Sequence, residues 1–97
     1  MDSIDELDLY EAERRLALFS EYREISRTFH YYVETELRAY LADEVEVEPM
    51  NTGGSPFFKV TLKGVWVYEA ERPNREIPEA VIWSVGDVHV QKLKTGE

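Results

Sequence analysis

Residues 44–68 read EVEVEPMNTGGSPFFKVTLKGVWVY, and this stretch decides the fold. Val45 and Val47 alternate with Glu44, Glu46 and Glu48, and Phe58, Val60, Leu62, Gly64, Trp66 and Tyr68 share one parity further on. Alternation of period two marks a half-buried strand, because successive side chains leave opposite faces. Between the two runs, Asn51-Thr-Gly-Gly-Ser-Pro56 is a concentrated turn signal. One hairpin register satisfies both faces at once. If Glu48 lies opposite Lys59, Glu44 falls opposite Lys63, while Val47 meets Val60 and Val45 meets Leu62. Charge pairing on one face and apolar pairing on the other thus select the same alignment.

Upstream of the hairpin the period is helical. A helix is expected from about Ile4 to Thr28, with Ser3 and Glu6 at capping-box spacing. Acids crowd its first turns, Arg23 and Arg27 stand near its end, and Glu11 precedes Arg15 by four, all favourable to the helix dipole and its side-chain pairs. Leu18, Tyr22, Ile25 and Phe29 form one apolar stripe. Leu9, Ala12, Leu16 and Phe19 form a second, read as adjacent, so that together they give a broad face able to lie across a sheet. From Phe29 to Leu41 the odd positions are mostly apolar, predicting a strand; Phe29, Tyr32, Val33, Leu37, Tyr40 and Leu41 also fit a helix, and both readings stay open.

Downstream, Glu69–Pro78 reads as a polar loop carrying Arg72-Pro73-Asn74-Arg75. A last strand is expected over 79–92, with its apolar parity switching at Gly86, where a β-bulge would put it. Residues 93–97 read as a frayed tail. The expected architecture is a single α+β domain, 1–97, with one long N-terminal helix packed on an antiparallel sheet of about four strands, near 29–41, 44–49, 56–68 and 79–92.

The 97 residues carry a net charge of −9, and 43% are hydrophobic, enough for one core. All the excess charge falls in residues 1–50, with 14 acids against 5 bases. That field repels phosphate backbones and anionic lipids and attracts basic partners, so nucleic acid is disfavoured as a direct partner. No cysteine is present, which excludes disulfides and thiolate chemistry and fits a reducing compartment. No apolar run nears the ~20 residues that span a bilayer, and the N-terminus is acidic where a signal peptide is basic. A cytoplasmic protein with no membrane association is expected.

No catalytic constellation emerges. His30 and His89 are the only histidines. Asp87 and His89 share one face of a strand, and Glu34 and Glu36 share one face of another, so a two-carboxylate, one-histidine site for a divalent ion is conceivable. The simpler reading makes these glutamates a solvated face. Serines lack a neighbouring histidine or a nucleophile elbow, and no phosphate-binding glycine loop occurs. The aromatic strand is more informative. Val65 and Val67 flank Trp66, so its late part is apolar on both faces and needs two covers. Trp66, Tyr68, Trp83, Arg72 and Arg75 are the candidate interaction residues, because tryptophan, tyrosine and arginine most often anchor interfaces. The competing reading makes Trp66 and Trp83 cross-strand partners in the core.

The blocks Leu18-Phe-Ser-Glu-Tyr-Arg-Glu-Ile25, Tyr31-Tyr-Val-Glu-Thr-Glu36, Tyr40-Leu-Ala42, Val65-Trp-Val67, Arg72-Pro73 and Gly86-Asp-Val88, in this order, resemble a family of small uncharacterised actinobacterial proteins, a domain of unknown function. The resemblance covers about Tyr10 to Leu93 and implies no activity, cofactor or catalytic residue. It implies a link to nucleic-acid or translation housekeeping, through genes lying near that of a ribonuclease. Glu34, Thr35, Glu36, Trp66, Arg72 and Pro73 fall within the resembling blocks, and the resemblance thereby adds Pro73, Glu34 and Glu36 to the candidate interaction residues. Lys63-Gly64 departs from the pattern, standing where family members commonly carry an acid.

The functional expectation is therefore an acidic, cytosolic, non-catalytic protein–protein interaction or regulatory module without a cofactor, binding an unidentified protein or forming a homodimer. The alternatives are a carboxylate- or metal-dependent factor acting on RNA or a phosphorylated substrate, and a small-ligand binder with a pocket between helix and sheet.

Overall fold

The computed structural model describes residues 6–52 and 54–93. The expected capping box at Ser3 and residues 94–97 of the expected tail lie outside them. Leu93, the first residue of that tail, is instead held, its amide donating to the His30 carbonyl at 2.8 Å and its side chain packing against the cluster of Leu18, Phe29, Leu41 and Trp66. Helix α1 spans Glu6–Ile25 and tightens into a 3-10 turn at Ser26–Thr28. Five strands follow: β1 Tyr31–Glu34, β2 Ala39–Thr52, β3 Ser55–Val67, β4 Glu76–Ser84 and β5 His89–Lys92. They form one antiparallel sheet in the order β4-β3-β2-β1-β5. The α+β class is as expected, with five strands in place of about four.

The β2–β3 hairpin takes the register that its charges specify. Glu48 pairs with Lys59, Glu44 with Lys63, Val47 with Val60 and Val45 with Leu62. Expected strands 29–41 and 79–92 each break in two, which is the main correction. The first breaks at Thr35, whose hydroxyl accepts from the amides of Leu37 (3.2 Å) and Arg38 (3.3 Å) and donates to the Arg38 carbonyl (3.1 Å). This side chain replaces the strand ladder with a turn, so 29–41 is neither one strand nor a helix. The second breaks at Ser84, whose hydroxyl donates to the Gly86 carbonyl at 3.0 Å. The parity switch at Gly86 therefore marks a change of strand rather than a bulge. Thr35 and Ser84 are the two buried polar residues among those described, and each closes a turn.

That second break carries the chain from one edge of the sheet to the other. Ser84 ends opposite Phe58, itself opposite Pro49, whereas His89 starts opposite Glu34, itself opposite Ala39. In a flat sheet the five-strand width and the ten-residue offset along β2 would separate Ser84 from His89 by about 38 Å. Five backbone steps reach about 18 Å at most. The sheet must coil until its edges approach, in the manner of a small open barrel. Gly64 assists at the bend: its φ is +60°, and a Cβ there would stand 2.6 Å from the Asp43 carboxylate.

Coiling gives two cores on opposite faces of the sheet. The inner one contains Val33, Tyr40, Val60, Leu62 and Val65, with Val88 of the β4–β5 connection packed against it. The outer one contains Leu18, Phe29, Leu41 and Trp66, flanked by Tyr22, Ile25, Tyr32 and Tyr68. The two-sided strand near Trp66 thus finds both of its covers within the chain, α1 supplying the outer one.

Helix α1 meets the sheet through one stripe only. Leu18, Tyr22 and Ile25 dock as expected, but Leu9, Leu16 and Phe19 are exposed. At 100° per residue the two stripes point about 130° apart, so they are opposed rather than adjacent. Every residue from Leu7 to Glu13 is exposed. The Cα radius of gyration is 16.1 Å, against about 12.5 Å for a compact chain of this length, consistent with a helix reaching past the sheet.

Candidate functional site

The junction of α1 with the loop between β3 and β4 is the most organised polar region. Tyr22, on the docking face, sits among four rings: Phe19 of the same helix at 6.1 Å, Tyr32 at 6.2 Å, Trp66 at 6.1 Å and Tyr68 at 5.5 Å between centroids. Trp66 and Tyr68 meet edge-on at 5.5 Å. Such edge and tilted contacts are the favourable geometries for aromatic quadrupoles.

Glu21, one residue before Tyr22, reaches into this cluster. Its carboxylate accepts from Trp66 Nε1 at 2.8 Å and from Arg75 Nη2 at 2.7 Å and Nε at 3.1 Å. Arg75 Nη1 donates in turn to the carbonyls of Glu69, Ala70 and Arg72, each within 3.3 Å. One guanidinium therefore ties the helix to three carbonyls of the loop, a use that fits arginine's fixed fork. Arg14 adds a second tie, pairing with Glu71 and donating to the Ala70 carbonyl at 3.1 Å. The Arg75 guanidinium, with a smaller contribution from the Trp66 N–H, holds the Glu21 carboxyl below the usual carboxylate range against the opposing effect of burial. Burial pushes the Tyr22, Tyr32 and Tyr40 hydroxyls above the ordinary phenol range.

An open recess of about 310 Å³ lies beside this clasp, lined by Glu21, Ile25, Trp66, Pro73, Asn74, Arg75 and Glu76. The carboxylate and guanidinium on its wall are committed to each other, leaving Asn74 and Glu76 as its polar groups. Asn74 Oδ1 already accepts from the Glu76 amide at 3.3 Å.

The sequence candidates fall into two groups. Trp66 is 1% exposed and anchors the helix, so its ring is not presented at the surface, whereas Trp83 pairs with Lys59 and is 52% exposed, so the two are not cross-strand core partners. Tyr68 and Arg75 are half-buried in the same clasp. Arg72 donates to the Asn74 carbonyl at 3.0 Å and lies 3.9 Å from Glu69, with exposed Pro73 beside it. Glu34, Glu36, Asp87 and His89 are exposed; Glu34 ends β1 opposite Ala39, whose carbonyl accepts from the Tyr68 amide at 3.0 Å, and the adjoining turn brings Arg38 to 3.8 Å from Glu69. Glu34 stands across from His89 in the β1–β5 ladder, and Glu36 approaches Gly86. No group of three or more metal-ligating side chains forms among the described residues. No helix among them is long and apolar enough to cross a membrane.

Glu21 is the residue that sequence reasoning missed. Its only signal was position: it lies three residues after Leu18 and four before Ile25, on the docking face. A second unforeseen pair, His30 with Asp43 at 3.4 Å, sits at the start of β1.

Relatives align with nearly the whole length of this chain. The chain is 38% identical over 95 residues to the uncharacterised protein Rv2901c of Mycobacterium tuberculosis strain H37Rv, covering 98% of this chain and 94% of the relative. The uncharacterised proteins MT2969 of M. tuberculosis strain CDC 1551 and Mb2925c of Mycobacterium bovis match to the same extent. No solved structure matches the chain. Residues 1–97 match the family described as a protein of unknown function, DUF2469, and the chain belongs to that family.

Proposed function

We propose that this chain is an acidic, cytosolic, non-catalytic protein-interaction module. One observation carries the reading. The conspicuous polar cluster, Glu21 with Arg75 and Trp66, spends its hydrogen bonds on holding α1 against the sheet, and the held helix turns an apolar stripe outward. A catalytic carboxylate needs an open coordination or proton-transfer position, whereas both Glu21 oxygens are occupied by internal donors. The excess of negative charge in the first half of the chain favours a protein with a basic surface over nucleic acid. Arg72, Pro73, Glu34 and Glu36 are further candidate contacts, since each reaches solvent.

The test is affinity purification of the tagged chain from native lysate with and without ribonuclease. The reading expects a discrete protein that survives nuclease treatment. Recovery of nuclease-sensitive material alone, or of no protein, overturns it.

A further inference from the structure

Leu9, Ala12, Leu16 and Phe19 recur at intervals of three, four and three, the spacing of a and d positions over two heptads. Their side of α1 faces away from the sheet: Leu16 is 66% exposed, Leu9 49% and Phe19 46%. Asp8 and Glu13 border the stripe on its two sides, together with Arg15, and exposed Arg23 continues its line one turn beyond Phe19. Arg14 is engaged by Glu71, and Glu11 stands four residues before Arg15 on the helix. Beside Leu9–Phe19 the border thus holds two acids and one base, within a half-chain that itself carries the whole net charge of −9.

Self-pairing conflicts with that border. In a parallel pair of α1 helices, Asp8 of one would neighbour Glu13 of the other, by the g-to-e relation of coiled coils. In the antiparallel register that matches Leu9 with Phe19 and Ala12 with Leu16, Glu13 would face its own copy and so would Arg15 across the two-fold. Both arrangements bring like charges together, which selects against a second copy as the occupant.

From this we infer that the outward stripe of α1 docks an amphipathic helix with basic flanks, supplied by a different protein. The inference rests on the interaction reading above and names its surface and its partner chemistry. The partner's apolar ridge seats on Leu9, Ala12, Leu16 and Phe19, and its lysines or arginines lie against Asp8 and Glu13. Helix-on-helix docking of this kind is a recurring mode of recognition, with i, i+3, i+4, i+7 anchors. The clasp at Glu21 and Arg75 keeps the recognition face pointed outward.

The experiment titrates the full chain with a fluorescent synthetic peptide carrying leucine at heptad a and d positions and lysine at the flanks. A second peptide has every lysine replaced by glutamate. Binding is read by anisotropy and self-association by light scattering. Saturable binding of the lysine peptide is expected, weakened at least about tenfold by Leu16→Glu or Leu9→Glu, and reduced by added salt. Val81→Glu, on the exposed face of β4, should leave it unchanged, and circular dichroism checks that each variant folds. The double variant Asp8→Lys, Glu13→Lys should transfer preference to the glutamate peptide. Equal binding of both peptides by the native chain overturns the charge argument. A dimer lost on Leu16→Glu overturns it in favour of a second copy. If Leu16→Glu leaves peptide binding unchanged while the native chain still captures a nuclease-resistant protein, this inference fails and the interaction reading stands. Absence of both removes both.

Discussion

The Glu21 carboxylate lies 2.7 Å from Arg75 Nη2 and 2.8 Å from Trp66 Nε1, joining helix, strand and loop across separations of 54 and 45 residues. Replacing Glu21 with alanine leaves the Trp66 N–H buried without its acceptor and Arg75 without its counter-ion. A loss of about 1–3 kcal/mol is expected, read by urea unfolding, with Glu21→Gln losing less because the amide oxygen still accepts. A neutral result would show that water replaces the carboxylate at no cost.

The same pair gives a pH dependence. The folded state holds the Glu21 carboxyl below its unfolded value, chiefly through Arg75. Its contribution is present above the usual carboxylate range and declines as pH falls below about 4.5 toward the folded value. The pair is partly exposed, so the effect is modest and screened by salt. Comparing the acid limb of stability for the native chain and Glu21→Gln isolates it, since the variant lacks the titrating group.

Thr35 closes the β1–β2 turn with three hydrogen bonds from one hydroxyl. Thr35→Val keeps the shape and removes them, and is expected to destabilise by about 1–3 kcal/mol. Thr35→Ser should retain most of the stability. Equal destabilisation by both variants would mean that the methyl group, not the hydroxyl, holds the turn.

Gly64 combines a φ of +60° with close approach to Asp43. Gly64→Ala should cost about 1–2 kcal/mol from the left-handed conformation alone, plus the clash. Adding Asp43→Ala should return the steric part and leave the backbone part, a separation that a double-mutant cycle measures.

The two tryptophans report opposite environments, Trp66 being 1% exposed and Trp83 52%. Trp83→Phe should leave a fluorophore with blue-shifted emission and low accessibility to iodide. Trp66→Phe should leave one that is readily quenched. Equal quenching of the two variants would contradict the docking of α1 over Trp66.

Short-range periodicity was enough to read the hairpin. Residues 44–48 and 59–63 carry their charges and aliphatic residues at matching intervals, so the register follows from side-chain pairing alone. The helix and its docking stripe were legible for the same reason: Leu18, Tyr22 and Ile25 repeat within two turns. The strand breaks were not, because Thr35 and Ser84 look like ordinary strand residues until burial aims each hydroxyl at its own turn. Nor could periodicity say which of two apolar stripes on one helix finds the core.

The sequence by itself determined an α+β chain, its central hairpin register and an acidic first half, since each depends on residues close together or on simple charge count. Only the tertiary structure decided that the sheet coils, that Trp66 is an anchor beneath the helix, and that Glu21 meets Arg75 while Leu9 and Leu16 face solvent. Those outcomes depend on where distant segments meet once the β4–β5 connection, too short for a flat sheet, draws its two edges together.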